Sequence, residues 1–464
     1  MKIWFLLVAA VFASFFVPAY SLMKDTKRLG RVDFESSFHR WFLSAFFWLM
    51  GSFFTGIVLA LDIFLNETLS SVGQSLFLIH REMTVLGFLI PAMIGAFLWI
   101  NDHPDQNHLR WTLRLWNALL AVQLALHVVR PGAMGLWTDP LYLLMAGIIV
   151  ARTPRQPPTT GSTRRGSLSI ENLSIGLTLL GGILILLGPR AGDMTGLIGQ
   201  RLLWGIGFLG FPMLLTQRLI EEVTGTALYS RRMVWMMSAG WAGLCLLSAG
   251  QHSGGRWGTI GTVAAVGLWL PAGFMATNIW ETGEHLRSQT VDELAARWKA
   301  LGSWMPSSFA ARWLELGWLC LFGGIFLWSV TSFQNVTGAL QNSFFRTGLI
   351  YSLLIGGVIP VYLSTVYCAW AKSAIPVSER VADIAYWHYL GGCLLVIFGF
   401  LVGSLVQSAQ RTTWTDPAGM LLSVPGEIVS LWQRPFWGCI IVGGFLMSAP
   451  LFLINLDLFR TRPR

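Results

Sequence analysis

Charged side chains are scarce in this sequence. Asp, Glu, Lys and Arg make up 12% of its 464 residues, whereas soluble domains carry about 25%. Apolar residues reach 54%, and the mean hydropathy is +0.59. This composition excludes an ordinary soluble domain and predicts a protein whose main surroundings are a lipid bilayer.

Residues that bind metals or form disulfides are also few. The chain has eight His and five Cys, and no two cysteines lie close enough in sequence to suggest a zinc site or a disulfide framework. Buried packing is the expected role of the cysteines. No Gly-rich phosphate loop, HExxH motif or serine-nucleophile elbow is present. The net charge of +9 is spread over short loops, so a nucleic-acid partner is not expected.

Long apolar runs are what the sequence has in place of these features. About thirteen runs are long enough to cross a bilayer as helices. They are too long and too uniformly apolar for barrel strands, so an all-α polytopic membrane protein is predicted. The predicted spans are 3–22, 40–65, 77–100, 110–129, 135–151, 171–189, 198–217, 232–250, 257–280, 312–332, 344–371, 382–407 and 436–458.

Two units follow from this pattern. Residues 1–37 form an N-terminal transmembrane anchor and a cytoplasmic linker, and residues 38–464 form one transmembrane domain. The first run also has features of a signal peptide, but the basic residues from Lys24 to Arg31 come after it and favour a retained anchor. Alternate loops carry most of the Lys and Arg, which places those loops and the C-terminus in the cytoplasm.

Ionisable residues within the spans are the candidates for function, because burying them in lipid is costly. His80, Arg81 and Glu82 begin the third span. One interpretation is an interfacial Arg81–Glu82 pair; the other makes His80 an axial heme ligand. Asp62, Glu82 and Glu315 are candidates for a proton path, or for pairing with neighbouring helices.

Three further histidines lie at or near spans. His252 falls in an outer loop, where a structural or solvated role is more common than metal binding. His127 and His388 are predicted to be hydrogen-bonded packing residues.

The sequence resembles subunit I of the cbb-type heme-copper oxidases over roughly residues 38–461. The order and placement of several short motifs carry the resemblance, and no single motif decides it. These are Trp41-Phe42-Leu43 with Trp48, Gly51, Gly56 and Ala60; His80; Gly225 to Tyr229-Ser230; Ala249-Gly250-Gln251-His252; Asn335-Val336 with Ala339-Leu340; Trp387-His388; Trp414, Asp416, Gly419 and Glu427; and Gly443-Gly444 through Asn455 to Arg460-Thr461.

The resemblance implies a twelve-helix bundle in three arcs, here with one extra N-terminal helix. In the family such a bundle holds two hemes and a copper on six histidines. The low-spin heme ligand of the second family helix matches His80. The copper histidine of the sixth helix falls near Arg201, and the paired copper histidines fall on His252 and Ser253.

The remaining two ligands belong to the tenth family helix, where the His-x-His motif falls on Phe344-Phe345-Arg346. Two of the six ligands therefore remain, and Phe344 has no lone pair with which to bind iron. Arg201 and Arg346 would put positive charge where the family holds metal cations. They are expected to pair with Glu or with each other's neighbours and so fill the emptied cavity.

These substitutions predict a divergent oxidase-like subunit without a heme-copper centre. Its expected role is structural or accessory, in a respiratory electron-transfer complex of a bacterial inner membrane, beside cytochrome c-like subunits. No cofactor is predicted, with a heme b on His80 as the alternative. A second hypothesis is an active terminal oxidase or nitric oxide reductase that uses His127 or His388. A third is a transporter or sensor related to heme-copper nitric-oxide-response proteins, which His80 to Met83 with Gly87-Phe88 resemble.

Overall fold

The computed structural model describes most of the chain from residue 37 onward. The described residues are 37–66, 71–101, 107–129, 141–142, 144–149, 167–191, 193–225, 227–252, 255–289, 308–333, 340, 343–372, 377, 379–413 and 426–460. The predicted N-terminal anchor lies outside this range, as does Ser253.

Twelve helical segments make up the described part of the chain, and they coincide with the twelve predicted spans after the first. They are α1 Ser37–Asn66, α2 71–100, α3 Asn107–Val129, α4 (described at 141–142 and 144–149), α5 Ser167–Ala191, α6 193–224, α7 Arg231–Leu247, α8 255–289 with a break at Leu268, α9 Phe309–Thr331, α10 345–372, α11 Glu379–Thr413 and α12 Gly426–Arg460.

Nine of these helices are long and apolar enough to cross a membrane. In their described portions, α3, α4 and α5 are shorter or more polar. The outer faces of the bundle suit lipid: Trp387, Leu394, Phe398 and Leu405 on α11 are each about half exposed. The predicted all-helical membrane fold is confirmed.

Three helices of the bundle, α2, α6 and α10, are interrupted in the same way. Each contains a π-helical segment that ends just before a proline-containing turn. The segments are Met83–Leu89 before Pro91, Arg201–Gly210 before Pro212, and Ser352–Val358 before Pro360. Proline lacks an N–H and its ring clashes with the carbonyl four residues earlier. A locally wider turn, with bonds spanning five residues, relieves that clash.

A carbonyl in each π segment accepts a hydrogen bond from an aromatic side chain on the next helix. The bonds run from Trp116 Nε1 to the Leu86 oxygen (2.8 Å), from Trp241 Nε1 to the Gly205 oxygen (2.7 Å), and from Tyr389 Oη to the Ile355 oxygen (2.6 Å). The donors lie on α3, α7 and α11. The same arrangement thus recurs every four helices, although the sequence shows no internal repeat.

Helix α10 lies at the centre of this arrangement. In the span Phe345–Lys372, 89% of the most apolar stretch is buried, and α10 contacts both α2 and α6. At one end, Lys372 Nζ lies 2.6 Å from Glu222 of α6 and 5.4 Å from the ring centroid of Trp99 of α2. Arg218 also pairs with Glu222, at 3.2 Å. These contacts connect the three interrupted helices at the end predicted to be cytoplasmic.

Small residues allow α11 and α12 to approach closely. A Cβ on Gly392 would lie 2.5 Å from the Gly443 carbonyl oxygen, and one on Gly443 would lie 2.6 Å from the Gly392 oxygen. Membrane helices commonly associate through such small-residue contacts, because lipid supplies no hydrophobic drive between helices.

Substituting Tyr389→Phe tests the aromatic hydrogen bonds. The variant keeps the buried ring but leaves the Ile355 carbonyl without this donor, so the free energy of unfolding should fall by about 1–3 kcal/mol. Thermal or denaturant unfolding in mild detergent measures it. Tyr229→Phe is the matched control, because the Tyr229 side chain is 57% exposed. Equal stability of the two variants would contradict the assigned role.

Candidate functional site: two cavities beside α10

Two cavities lie on either side of α10, and Leu354 lines both. The first has a volume of about 220 Å³ and lies among α1, α2, α10, α11 and α12. Its walls are largely apolar. The polar groups at its surface come mainly from Ser52, His80, Thr84 and Tyr351.

His80 is held by hydrogen bonds at both ring nitrogens. Nδ1 lies 2.8 Å from the Ser52 carbonyl oxygen, and Nε2 lies 2.7 Å from the Tyr351 hydroxyl. Because a carbonyl can only accept, a neutral imidazole donates from Nδ1 and accepts the tyrosine proton at Nε2. The Ser52 hydroxyl lies 2.6 Å from the Thr84 hydroxyl and completes the network.

This geometry does not fit a low-spin heme. Metal–nitrogen bonds are about 2 Å long, so an iron between two axial ligands needs about 4 Å between the ligating atoms. The gap from His80 Nε2 to Tyr351 Oη is 2.7 Å. Gly56 also packs against the imidazole, since a Cβ added to Gly56 would lie 3.1 Å from His80 Cε1. As arranged, the pair forms a hydrogen bond rather than a metal site.

The two tenth-helix ligand positions fall on different sides of α10. Phe344, just before the helix, lines the first cavity and packs edge-on against Trp437, with ring centroids 5.3 Å apart. Arg346 lines the second cavity. The residue that faces His80 is Tyr351, which follows Phe344 by almost two turns.

The second cavity is larger, with a volume of about 320 Å³. It lies among α6, α7, α9 and α10, with Leu268 of α8. Its polar lining includes Gln200, Arg201, Gln251 and Arg346, and the buried, free thiol of Cys245. Among the described residues, the lining contains no histidine and no acidic residue. These residues alone therefore do not supply the imidazole set that a heme or copper would require.

Arg201 and Arg346 both line this cavity. Within the described part of the chain, neither guanidinium has a hydrogen-bond or ion-pair partner. The expected pairing with Glu is not seen among the described residues, because no carboxylate of that part of the chain lines the cavity. The expectation that the arginines pair with each other's neighbours stays a prediction.

The copper positions after α7 are described only in part. His252 ends a 3₁₀ turn, Ser248–His252, and its side chain lies outside the described residues together with Ser253. The preceding residue, Gln251, lines the second cavity. Among the described residues, no group of three or more His, Cys, Asp or Glu side chains is placed to hold a metal ion.

The remaining ionisable candidates do not line either cavity. Arg81 and Glu82 pair at 2.6 Å, with the Arg81 side chain 53% exposed and that of Glu82 8% exposed. This matches the interpretation of the pair as an interfacial contact. Asp62 on α1 and Glu315 on α9 are half-buried and have partners. None of the three acidic residues lines either cavity, and the proton path stays a prediction.

The histidines proposed as substitute ligands do not line either cavity. His388 Nδ1 lies 2.9 Å from the Ile384 carbonyl of its own helix. His127 is buried on α3, and neither ring nitrogen has a hydrogen-bond partner among the described residues. The predicted hydrogen bond is therefore not seen in that part of the chain, where Gln123 on the same helix has no partner either.

Comparison with known proteins identifies the class of fold. No protein-family model and no curated protein matches the sequence. Among solved structures, 36 chains match. One is a heme-copper terminal oxidase dimer determined by cryo-EM, with a TM-score of 0.63, 14% sequence identity, and coverage of 92% of this chain and 84% of that one. At this identity the likeness is one of fold: the chain has a heme-copper-oxidase-like helical bundle.

Several residues of the two cavities were not expected from the sequence. Ser52 and Tyr351 give no signal within apolar spans, because single hydroxyl-bearing residues are common there. Cys245 was expected only to pack. Gln251 was the one cavity residue with a signal in the sequence, because it precedes His252 in a motif that carries the family resemblance.

A double-mutant cycle on His80 and Tyr351 tests the first site. Tyr351→Phe removes the donor to Nε2, and the free energy of unfolding should fall by about 1–3 kcal/mol. Combined with His80→Ala, the two effects should be non-additive by about 1 kcal/mol. Unfolding of the four proteins in one detergent measures this coupling. Simple additivity would show that the hydrogen bond contributes nothing.

Proposed function

We propose that this chain is an integral membrane subunit of a respiratory electron-transfer complex, with an oxidase-like scaffold and no heme-copper reaction centre. The observation that carries the proposal is the 2.7 Å hydrogen bond between His80 Nε2 and Tyr351. The imidazole nitrogen that would bind iron is already satisfied by a side chain from the helix that should supply the second axial ligand.

The second cavity supports the same proposal. Oxygen reduction in the family depends on a high-spin heme beside a copper ion, both held by imidazoles. Here the second cavity, which two of the substituted ligand positions line, presents two guanidinium groups and a single thiol. Guanidinium groups stay protonated and donate only, so they cannot ligate a metal. An oxidase-like fold therefore does not imply oxidase activity here, because function resides in the site and not in the fold.

The proposed setting is a bacterial inner membrane, with the Lys- and Arg-rich loops and the C-terminus in the cytoplasm. Within a complex the chain would act structurally, beside cytochrome c-like subunits that carry the electrons. The exposed apolar faces of the helices can contact either lipid or another membrane subunit.

An optical spectrum of the purified chain tests the absence of heme. The wild-type protein should show no Soret band and no stoichiometric heme in a pyridine hemochrome assay, and His80→Ala should give the same result. Stoichiometric heme in the wild type would refute the proposal. If His80→Ala then lost that heme, the alternative of a heme b on His80 would hold.

Co-purification from native membranes tests the accessory role. A tagged chain, extracted in mild detergent, should bring stoichiometric partner subunits, and heme staining of the separated chains should fall on those partners. An unrelated multi-pass protein with the same tag serves as the control. Recovery of the chain alone from membranes that retain respiratory activity would count against membership in such a complex.

A further inference from the structure

We infer that the cavity containing Arg201 and Arg346 is a binding site for an oxyanion, the phosphate or carboxylate head of a membrane amphiphile. This inference rests on the proposed absence of a high-spin heme from the same space. The site is based on two guanidinium groups that share one cavity of about 320 Å³ and have no partner among the described residues.

The first argument is electrostatic. Two like charges beside one cavity repel each other, and unpaired charges within a membrane protein are costly. No acidic side chain lines the cavity, and neither arginine has an ion-pair partner among the described residues. A bound oxyanion would supply the missing counter-charge. Guanidinium groups suit this role because their planar N–H donors match phosphate and carboxylate oxygens.

The second argument concerns which hydrogen-bond donors are free. The hydroxyls of Ser248 and Ser332 bond to carbonyls of their own helices, and Trp241 donates to Gly205. The side-chain amides of Gln200 and Gln251 have no partner within the described residues. The cavity therefore presents two charged and two neutral groups that are available to a ligand.

The third argument is depth. Arg346 lies at the start of α10, Gln251 just beyond the end of α7, and Ser332 just beyond the end of α9. All three belong to the end of the bundle opposite Lys372, which the charge pattern places outside the cytoplasm. Deeper in the membrane the lining turns apolar, with Ile325 and Leu353. A charged head at the interface joined to an apolar tail fits this gradient.

The experiment compares anions on the wild-type protein and on arginine variants. Purified protein in neutral detergent is mixed with phosphatidylglycerol, phosphatidylcholine or inorganic phosphate. Thermal unfolding and native mass spectrometry report binding. Phosphatidylglycerol should raise the wild-type unfolding temperature more than phosphatidylcholine does. Arg201→Gln and Arg346→Gln should each weaken its binding about tenfold.

The matched control is Arg256→Gln. Arg256 is exposed at the same end of the bundle, at the start of α8, and does not line the cavity. Its loss should leave phosphatidylglycerol binding unchanged. Arg346→Gln provides a second test if Arg201→Gln fails to fold, because Arg346 is the more exposed of the two.

The outcomes separate the possible ligands and the two proposals. A response to inorganic phosphate as well as phosphatidylglycerol assigns the site to oxyanions in general, and a response to the lipid alone assigns it to a lipid head. Equal behaviour of the wild type and the Arg201→Gln/Arg346→Gln double variant overturns the inference. A heme assay on the same samples distinguishes the two kinds of failure. Heme in the wild type refutes the proposed function. If the wild type contains no heme and also binds no anion, the inference is refuted and the proposed function is not.

Discussion

The three prolines of the interrupted helices set the constraint on which the rest of the structure depends. Pro91, Pro212 and Pro360 each remove a backbone donor from a helix buried in a membrane bundle. In lipid no water can satisfy a freed carbonyl. In each case an indole or phenol from the following helix donates to a carbonyl of the π segment, five residues before the proline in α2 and α10 and seven before it in α6. The donor must hold a fixed position, so each such bond fixes the relation between two neighbouring helices.

The same interruptions position the two cavities. Arg201 is the first residue of the π segment in α6, Tyr351 immediately precedes that of α10, and His80 lies less than one turn before that of α2. A π segment shifts the direction of the side chains that follow relative to those before it. Arg201, Tyr351 and His80, which contribute polar groups to the two cavities, thus lie at or close to the interrupted segments.

The sequence predicts the fold well and the site only in part, for a physical reason. Span positions follow from hydropathy, a local property, and the twelve described helices lie where the apolar runs predict. The Arg81–Glu82 pair is local as well. The bond between His80 and Tyr351 joins residues 271 apart in sequence and depends on the relative register of α2 and α10. The aromatic donors lie 30 to 36 residues from their acceptors. Such registers are set by packing, which no local pattern encodes.

The cavities differ in whether their polar groups have hydrogen-bond or ion-pair partners. This difference determines which of them can offer free groups to a ligand. In the first, His80, Ser52, Thr84 and Tyr351 satisfy one another, so a ligand there would have to displace existing hydrogen bonds. In the second, Arg201 and Arg346 have no counter-charge among the residues that the structure describes, and the cavity has a volume of about 320 Å³. Arg201 and Arg346 give this space a fixed positive charge. A cavity with that charge favours anions whether or not electrons pass through it. The oxidase-like fold thus holds one polar network that is satisfied internally and one cavity whose two arginines have no partner among the described residues.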